Sequence, residues 1–194
     1  FGIVADSVYN DIFQKENGRG LGDVVQSIAL YDSLAFIVVN NSNKVEVVTS
    51  ENFKEYNVIT GVSQPRYLVA DGTTAYVSAW GDGGVVYVVD LNDFSVKSSI
   101  KVGTGPEKML IDGDKLYVAN SGGLGSDSTI TIIDMNTNQK VDSVIVGGNP
   151  KSIVKAQDGS LWVLCHGIVE YSYIDYSITR ETPSMLVQLD NNNN

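Results

Sequence analysis

An all-β fold of repeated four-stranded blades, a β-propeller, is what this sequence predicts, and three features predict it. A short apolar run carrying an aromatic residue recurs four times, a turn signal precedes each copy, and β-branched strands separated by polar turns follow. The runs are LAFIVVN (34–40), TAYVSAW (74–80), KLYVANS (115–121) and SLWVLCH (160–166), so that Phe36, Tyr76, Tyr117 and Trp162 recur at spacings of 40, 41 and 45 residues. Self-similarity at this pitch, without helical periodicity, is the mark of a blade repeat, whereas a β-sandwich requires no internal repeat.

The elements follow in order within each unit. Tyr31-Asp32, Asp71-Gly72, Asp112-Gly113 and Asp158-Gly159 precede the runs. Three of the four are Asp-Gly, taken as the central pair of a tight hairpin because both residues tolerate positive φ. A loop rich in Gly, Asn or Ser then leads to a third strand: KVEVVT (44–49), VVYVVD (85–90), TITIID (129–134) and, late, LVQLD (186–190) after an insertion rich in Tyr and Ser. Polar turns (SENF, LNDF, MNTN) lead to fourth strands such as VKSSIKV (96–102) and KVDSVIV (140–146). The units join through GVSQP (61–65), GTGP (103–106) and GGNP (147–150). The predicted division is 1–21 as the end of a preceding blade, 22–61, 62–102 and 103–146 as blades, and 147–194 as an incomplete blade with an insertion. SVYNDIFQKENG fits a short helix, but the repeat reads it as the last strand and turn of the preceding blade. About four and a half blades are expected to be part of a longer propeller of seven or eight, which leaves an exposed blade edge in this chain.

Composition excludes several functions. With 13 Lys and Arg against 23 Asp and Glu the net charge is −10, which supplies no basic face for nucleic acid or an anionic membrane. No apolar run has the length of a membrane-spanning helix, and FGIVADSVYND does not read as a signal peptide. The single cysteine, Cys165, permits no intrachain disulfide, and with the single histidine, His166, it cannot make a Cys/His zinc site. As neighbours in a strand the two point to opposite faces, which disfavours a nucleophile and base pair. The loop aspartates Asp82, Asp112, Asp114 and Asp127 lack the spacing of a calcium loop, and GGLG (122–125) has no lysine or following helix to hold phosphate. No metal and no cofactor is predicted.

The unit G-x-x-P, apolar stretch, Asp-Gly, Leu-Tyr-Val-Ala-Asn, loop, Ile-Thr-Ile-Ile-Asp, best kept between Gly103 and Gly147, resembles the YVTN repeat of YncE-like surface-layer propellers. The segment NGRGLGDVVQSIALYDSLAFIVVNNSNKVEVV (17–48) resembles propeller lipoproteins on the surface of Bacteroidetes. The resemblance implies an extracytoplasmic, cell-surface location and a lipid anchor, although no lipobox cysteine is present. Among such relatives some capture corrinoids and pass them to an outer-membrane transporter.

Two sets of variable residues fall at one mouth of the predicted propeller. One position after the proline, or after Val25 where the first blade lacks one, stand Gln26, Arg66, Glu107 and Lys151. Four positions after each aromatic landmark stand Asn40, Trp80, Ser121 and His166. A few placed polar groups beside aromatic area suit ligand binding, with Trp80 as an exposed recognition residue and Tyr171, Tyr173 and Tyr176 of the insertion as an extension of that surface. The core positions repeat between blades and these do not, as on a scaffold with a grafted site. The reading is a non-catalytic binding propeller for a small ligand such as a corrinoid, partnered by an outer-membrane uptake complex. The alternatives are a protein-interaction scaffold and a propeller enzyme, a lyase or dehydrogenase, whose catalytic half lies elsewhere.

Overall fold

The computed structural model describes residues 9–189, and the terminal Asp190 and the asparagines after it lie outside them. The first blade contains β1 (Val25–Tyr31), β2 (Leu34–Val39), β3 (Lys44–Thr49) and β4 (Glu55–Ile59). The second contains β5 (Pro65–Asp71), β6 (Thr74–Ala79), β7 (Val85–Asp90) and β8 (Ser95–Lys101). The third contains β9 (Pro106–Asp112), β10 (Lys115–Asn120), β11 (Thr129–Asp134) and β12 (Gln139–Ile145). In the fourth, β13 (Pro150–Lys155) and β14 (Leu161–Cys165) are followed by a separate hairpin, β15 (Ile168–Tyr171) and β16 (Ile178–Thr182), before β17 (Met185–Leu189) pairs with β14. All pairings are antiparallel, and β1, β5, β9 and β13 contact one another in that order, which makes them the inner strands of neighbouring blades. The protein is a β-propeller fold.

The aromatic landmarks hold equivalent places. Phe36 pairs with Ala29, Tyr76 with Val69, Tyr117 with Leu110 and Trp162 with Val154, each in the second strand against the first. Successive residues of a strand face opposite ways, so each second strand supplies two core seams. Phe36 and Val38 pack towards Ala75, Val77 and Ala79; Tyr76 packs with Leu116 and Val118; Tyr117 and Ala119 pack with Leu161, Val163 and Cys165. The blades therefore bury one another's faces.

The hairpin turns differ from expectation. Asp71 pairs with Thr74 and Asp112 with Lys115, so the central residues are Gly72-Thr73 and Gly113-Asp114, not Asp-Gly. Only the glycine of each pair has positive φ, as does Asp32 in the first blade, whereas the Asp158-Gly159 turn lies in a longer loop. The aspartate ends the strand and the glycine takes the left-handed position.

The stretch read as a preceding strand is instead helical: α1 (Ile12–Asn17) ends on Gly18 in the left-handed conformation. Phe13 is buried with Ala35, Ile37, Val39 and Val48 on the outward face of the first blade. Arg19 ties the segment down, donating to Glu46 at 2.7 and 2.8 Å and to Glu55 at 2.6 Å. Lys44 also donates to Glu46. Burial alone would raise the Glu46 pKa, but the bonds from Arg19 and Lys44 outweigh it and hold the carboxyl below its ordinary value.

At the two end blades apolar faces remain exposed. Ile28 and Leu30 lie beside Ile37 and Ala35 on the outward face of the first blade and stay exposed although α1 lies against the same face. In the fourth, Val154, Leu164 and Leu186 are exposed around Trp162, opposite the face that Leu161, Val163 and Cys165 bury. The expected exposed edge is thus, in physical terms, a pair of sheet faces, because blades associate face to face and not strand to strand.

Candidate functional site

The inner strands begin with Pro65, Pro106 and Pro150, places where a missing N–H costs no ladder bond. Immediately before each inner strand sits a left-handed residue: Val24, Gln64, Gly105 and Asn149, with φ of 55°, 50°, 59° and 53°. Their carbonyls accept N–H bonds from Asn40, Trp80, Ser121 and His166 respectively, at 2.8 to 3.1 Å. The same bond in every blade therefore fixes the second set of residues beside the start of the inner strand, at one mouth.

The first set is aimed by a second repeated device. The register slips between Val25 and Ser27, between Pro65 and Tyr67, between Pro106 and Met109, and between Pro150 and Ser152. The bulges contain Gln26, Arg66, Glu107 and Lys151. A β-bulge adds an unpaired residue and redirects its side chain, so these four leave the ladder together.

They meet. Arg66 donates from Nη1 to Gln26 Oε1 at 2.7 Å and from Nη2 to Glu107 Oε1 at 3.0 Å, with Nε 3.4 Å from Oε2. Lys151 Nζ lies 3.5 Å from Glu107 Oε1 and donates to Ser121 Oγ at 3.1 Å. Four blades thus contribute one residue each to a single network around Glu107, which is 2% exposed. A buried carboxylate is tolerable only when it is paired, and here two cations pair it. Arg66 and Lys151 against Glu107 leave one unit of positive charge at the mouth of an acidic protein; Nη2 of Arg66 is taken up by both Glu107 oxygens, at 3.0 and 3.2 Å, while Nη1 and the Lys151 ammonium each keep a further N–H donor.

The second set divides. The Arg66 guanidinium stacks 4.1 Å from the centre of the Trp80 ring. Trp80 is therefore half-buried and not the freely exposed aromatic that was expected, because Arg66 covers it. Its Nε1 is buried with no hydrogen-bond partner among the described residues. Asn40 Nδ2 donates to Pro65 O at 3.0 Å and Ser121 Oγ to Gly105 O at 3.0 Å, so both fasten the mouth's backbone. The His166 side chain is exposed and makes no bond within the network, while Cys165 beside it is buried and its thiol pKa is raised by that burial. Among the described residues no group of three or more His, Cys, Asp or Glu could hold a metal ion.

Two concavities share the loop at 122–126, and the smaller adjoins this network through Trp80. One of about 350 Å³ reaches from Gln64 and Trp80 to the loop at 122–126. The other, about 730 Å³, runs between that loop and the β15–β16 hairpin. The loop's part was illegible in sequence: it depends on Gly105, where a Cβ would come within 2.0 Å of the Gly123 nitrogen, so that only glycine lets the two loops touch.

The family model described as "Domain of unknown function (DUF5074)" matches residues 1–187. No curated protein matches the chain. Among solved structures, hydrazine synthase of Kuenenia stuttgartiensis is similar with a TM-score of 0.66 at 22% identity, over 95% of this chain and 53% of that one. BamB from Moraxella catarrhalis gives 0.62 at 16%, over 84% and 51%. A protein of unknown function from Bacteroides caccae gives 0.56 at 18%, over 84% and 62%. The chain spans half to three fifths of these structures, and likeness at such identities shows the fold alone.

Proposed function

The chain belongs to the DUF5074 family, and we propose that its propeller is a non-catalytic binding protein whose ligand sits at the mouth built by Gln26, Arg66, Glu107 and Lys151. The observation that carries this is the convergence of four bulge residues, one per blade, on a single network with donors to spare and an indole beneath it. Donors fixed by mutual bonds, with net positive charge, suit a ligand rich in carbonyl or phosphate oxygens. Corrinoids carry amide oxygens, and cobalamin a phosphate as well, and corrinoid capture at the cell surface for an outer-membrane transporter is the form of this proposal implied by the family resemblance. In that form the protein is an extracytoplasmic lipoprotein.

The test is calorimetry with cobalamin and with cobinamide, comparing the parent with Arg66→Ala and Trp80→Ala. Each substitution is expected to weaken binding by about 2 kcal/mol, as hot-spot truncations do. No heat with either corrinoid removes that ligand, and tight binding indifferent to both substitutions moves the site away from the mouth. A second reading, an interaction scaffold, is supported by the exposed apolar faces of the end blades. Stable capture of a protein partner that is lost on Leu164→Lys would favour it.

A further inference from the structure

We infer that the groove between the loop at 122–126 and the β15–β16 hairpin is a second binding site, and that it takes a neutral carbohydrate. This goes beyond the reading of the central mouth and does not depend on it. The groove, about 730 Å³, is of the size that encloses a small oligosaccharide. Its lining includes Tyr171, Tyr173, Tyr176 and Leu124, and Tyr173 and Leu124 are wholly exposed. These side chains contribute little to the core, so the cost of displaying them has no structural return in this chain.

Tyr176 strengthens the argument. It adopts φ of 57°, a left-handed conformation that Gly or Asn enters easily and an aromatic residue does not. The tip holds it there: its N–H donates to Ser172 O at 3.0 Å, and the Ser172 N–H donates to Ser177 O at 2.8 Å. Phe53 and Phe94 hold the same left-handed turn position in the first two blades, at φ of 60° and 57°, so the conformation belongs to the hairpin; what sets Tyr176 apart is that Phe94 is buried while the Tyr176 ring is left exposed beside an open groove.

Chemistry selects the class of ligand. The face of a tyrosine ring is electron-rich and attracts the weakly positive C–H groups on the flat side of a pyranose, while its hydroxyl reaches neighbouring sugar hydroxyls. The groove's own charge is Glu170, which accepts from Ser126 Oγ and from Arg180 Nη1, each at 3.3 Å. Both bonds are long and the one from Arg180 is open to solvent, so the carboxylate can take a bond from a sugar hydroxyl instead. With net charge −10 over the chain, an anionic glycan is repelled.

Maltotriose, cellotriose and chitotriose serve as neutral probes and trigalacturonate as the acidic one, titrated into the protein by calorimetry. At least one neutral trisaccharide is expected to bind, trigalacturonate is not, and Tyr173→Ala and Tyr176→Asn are each expected to weaken binding about tenfold. Tyr176→Asn should also raise the melting temperature, since it removes strain at an exposed position; a loss of binding with a gain in stability cannot come from misfolding. Gln26→Ala, in the first blade and away from the loop at 122–126, should leave sugar binding intact, which separates this site from the central mouth. Failure of all three neutral probes, preference for trigalacturonate, or indifference to both tyrosine substitutions would overturn the proposal. So would a dimer that dissociates on Tyr173→Ala, which would make the surface a protein contact.

Discussion

Tyr76 and Trp162 occupy the same register position two blades apart, and their surroundings could hardly differ more. Tyr76 is 1% exposed, enclosed by Leu116 and Val118 of the next blade. Trp162 is only half-buried, among Val154, Leu164 and Leu186, which are themselves exposed. A blade does not bury its own aromatic; its neighbour does, as expected of quasi-one-dimensional repeats. The first blade shows an intermediate case, in which α1 and the Arg19 clasp cover part of the face that a neighbouring blade covers elsewhere.

The comparison is most directly broken by truncation at its two ends. Tyr76→Ala is expected to cost about 3–5 kcal/mol, because it opens a cavity in a seam that cannot collapse. Trp162→Ala is expected to cost about 1 kcal/mol, for partial burial and one bond from Nε1 to Ser160 Oγ. Urea unfolding of both variants measures the difference. Equal costs would mean that the outward face of the fourth blade is covered in solution.

The clasp on the first blade supplies the next effect. Glu46→Gln is expected to cost about 1.5–3 kcal/mol at neutral pH, the range for hydrogen bonds to a charged group. The folded-state pKa of Glu46 is depressed, so the unfolded chain takes up its proton at higher pH than the native one. The stability from this group is present above its unfolded value near 4.5 and is lost as pH falls through the folded pKa. Melting temperatures of the parent should therefore drop on acidification below about pH 4.5, and the variant should lose part of that dependence. A parent and variant with parallel pH profiles would show that α1 is not held by this carboxylate.

What the sequence made legible follows from what repeats. Phe36, Tyr76, Tyr117 and Trp162 recur, so their shared register could be read without coordinates, and so could the two sets of mouth residues. The bulges at Gln26, Arg66, Glu107 and Lys151 could not, since an extra residue in one strand leaves no mark in composition. The stacking of Arg66 on Trp80 was hidden because the two are fourteen positions apart in sequence and meet only when the inner strand bulges. Nor was α1 legible against the repeat: six residues carry too little periodicity to outweigh the expectation of a strand.

A smaller effect tests whether the left-handed residue before each inner strand is equivalent from blade to blade. Gly105 and Asn149 suit that conformation, whereas the β-branched Val24 at φ 55° does not. Val24→Asn, which copies the fourth blade into the first, should stabilise the protein by about 1 kcal/mol, read as a shift of the urea midpoint at unchanged slope. Destabilisation would show that the valine side chain is packed by something outside the chain.

Leu164→Lys is expected to change least. Leu164 faces outward from β14, opposite the seam that holds Val163 and Cys165, and is 45% exposed. Lysine fits an exposed strand face and keeps an aliphatic stem over Leu186, with which Leu164 pairs, so the expected change in stability lies within about 0.5 kcal/mol. The same substitution is severe wherever a blade is packed against that face, because it buries a charge without a partner. Unfolding and sedimentation on one sample separate the cases. Unchanged mass and stability leave the face open to solvent; a loss of stability with unchanged mass means that this chain's own segments cover it. A fall in mass means that another molecule completes the seam that Trp162 begins.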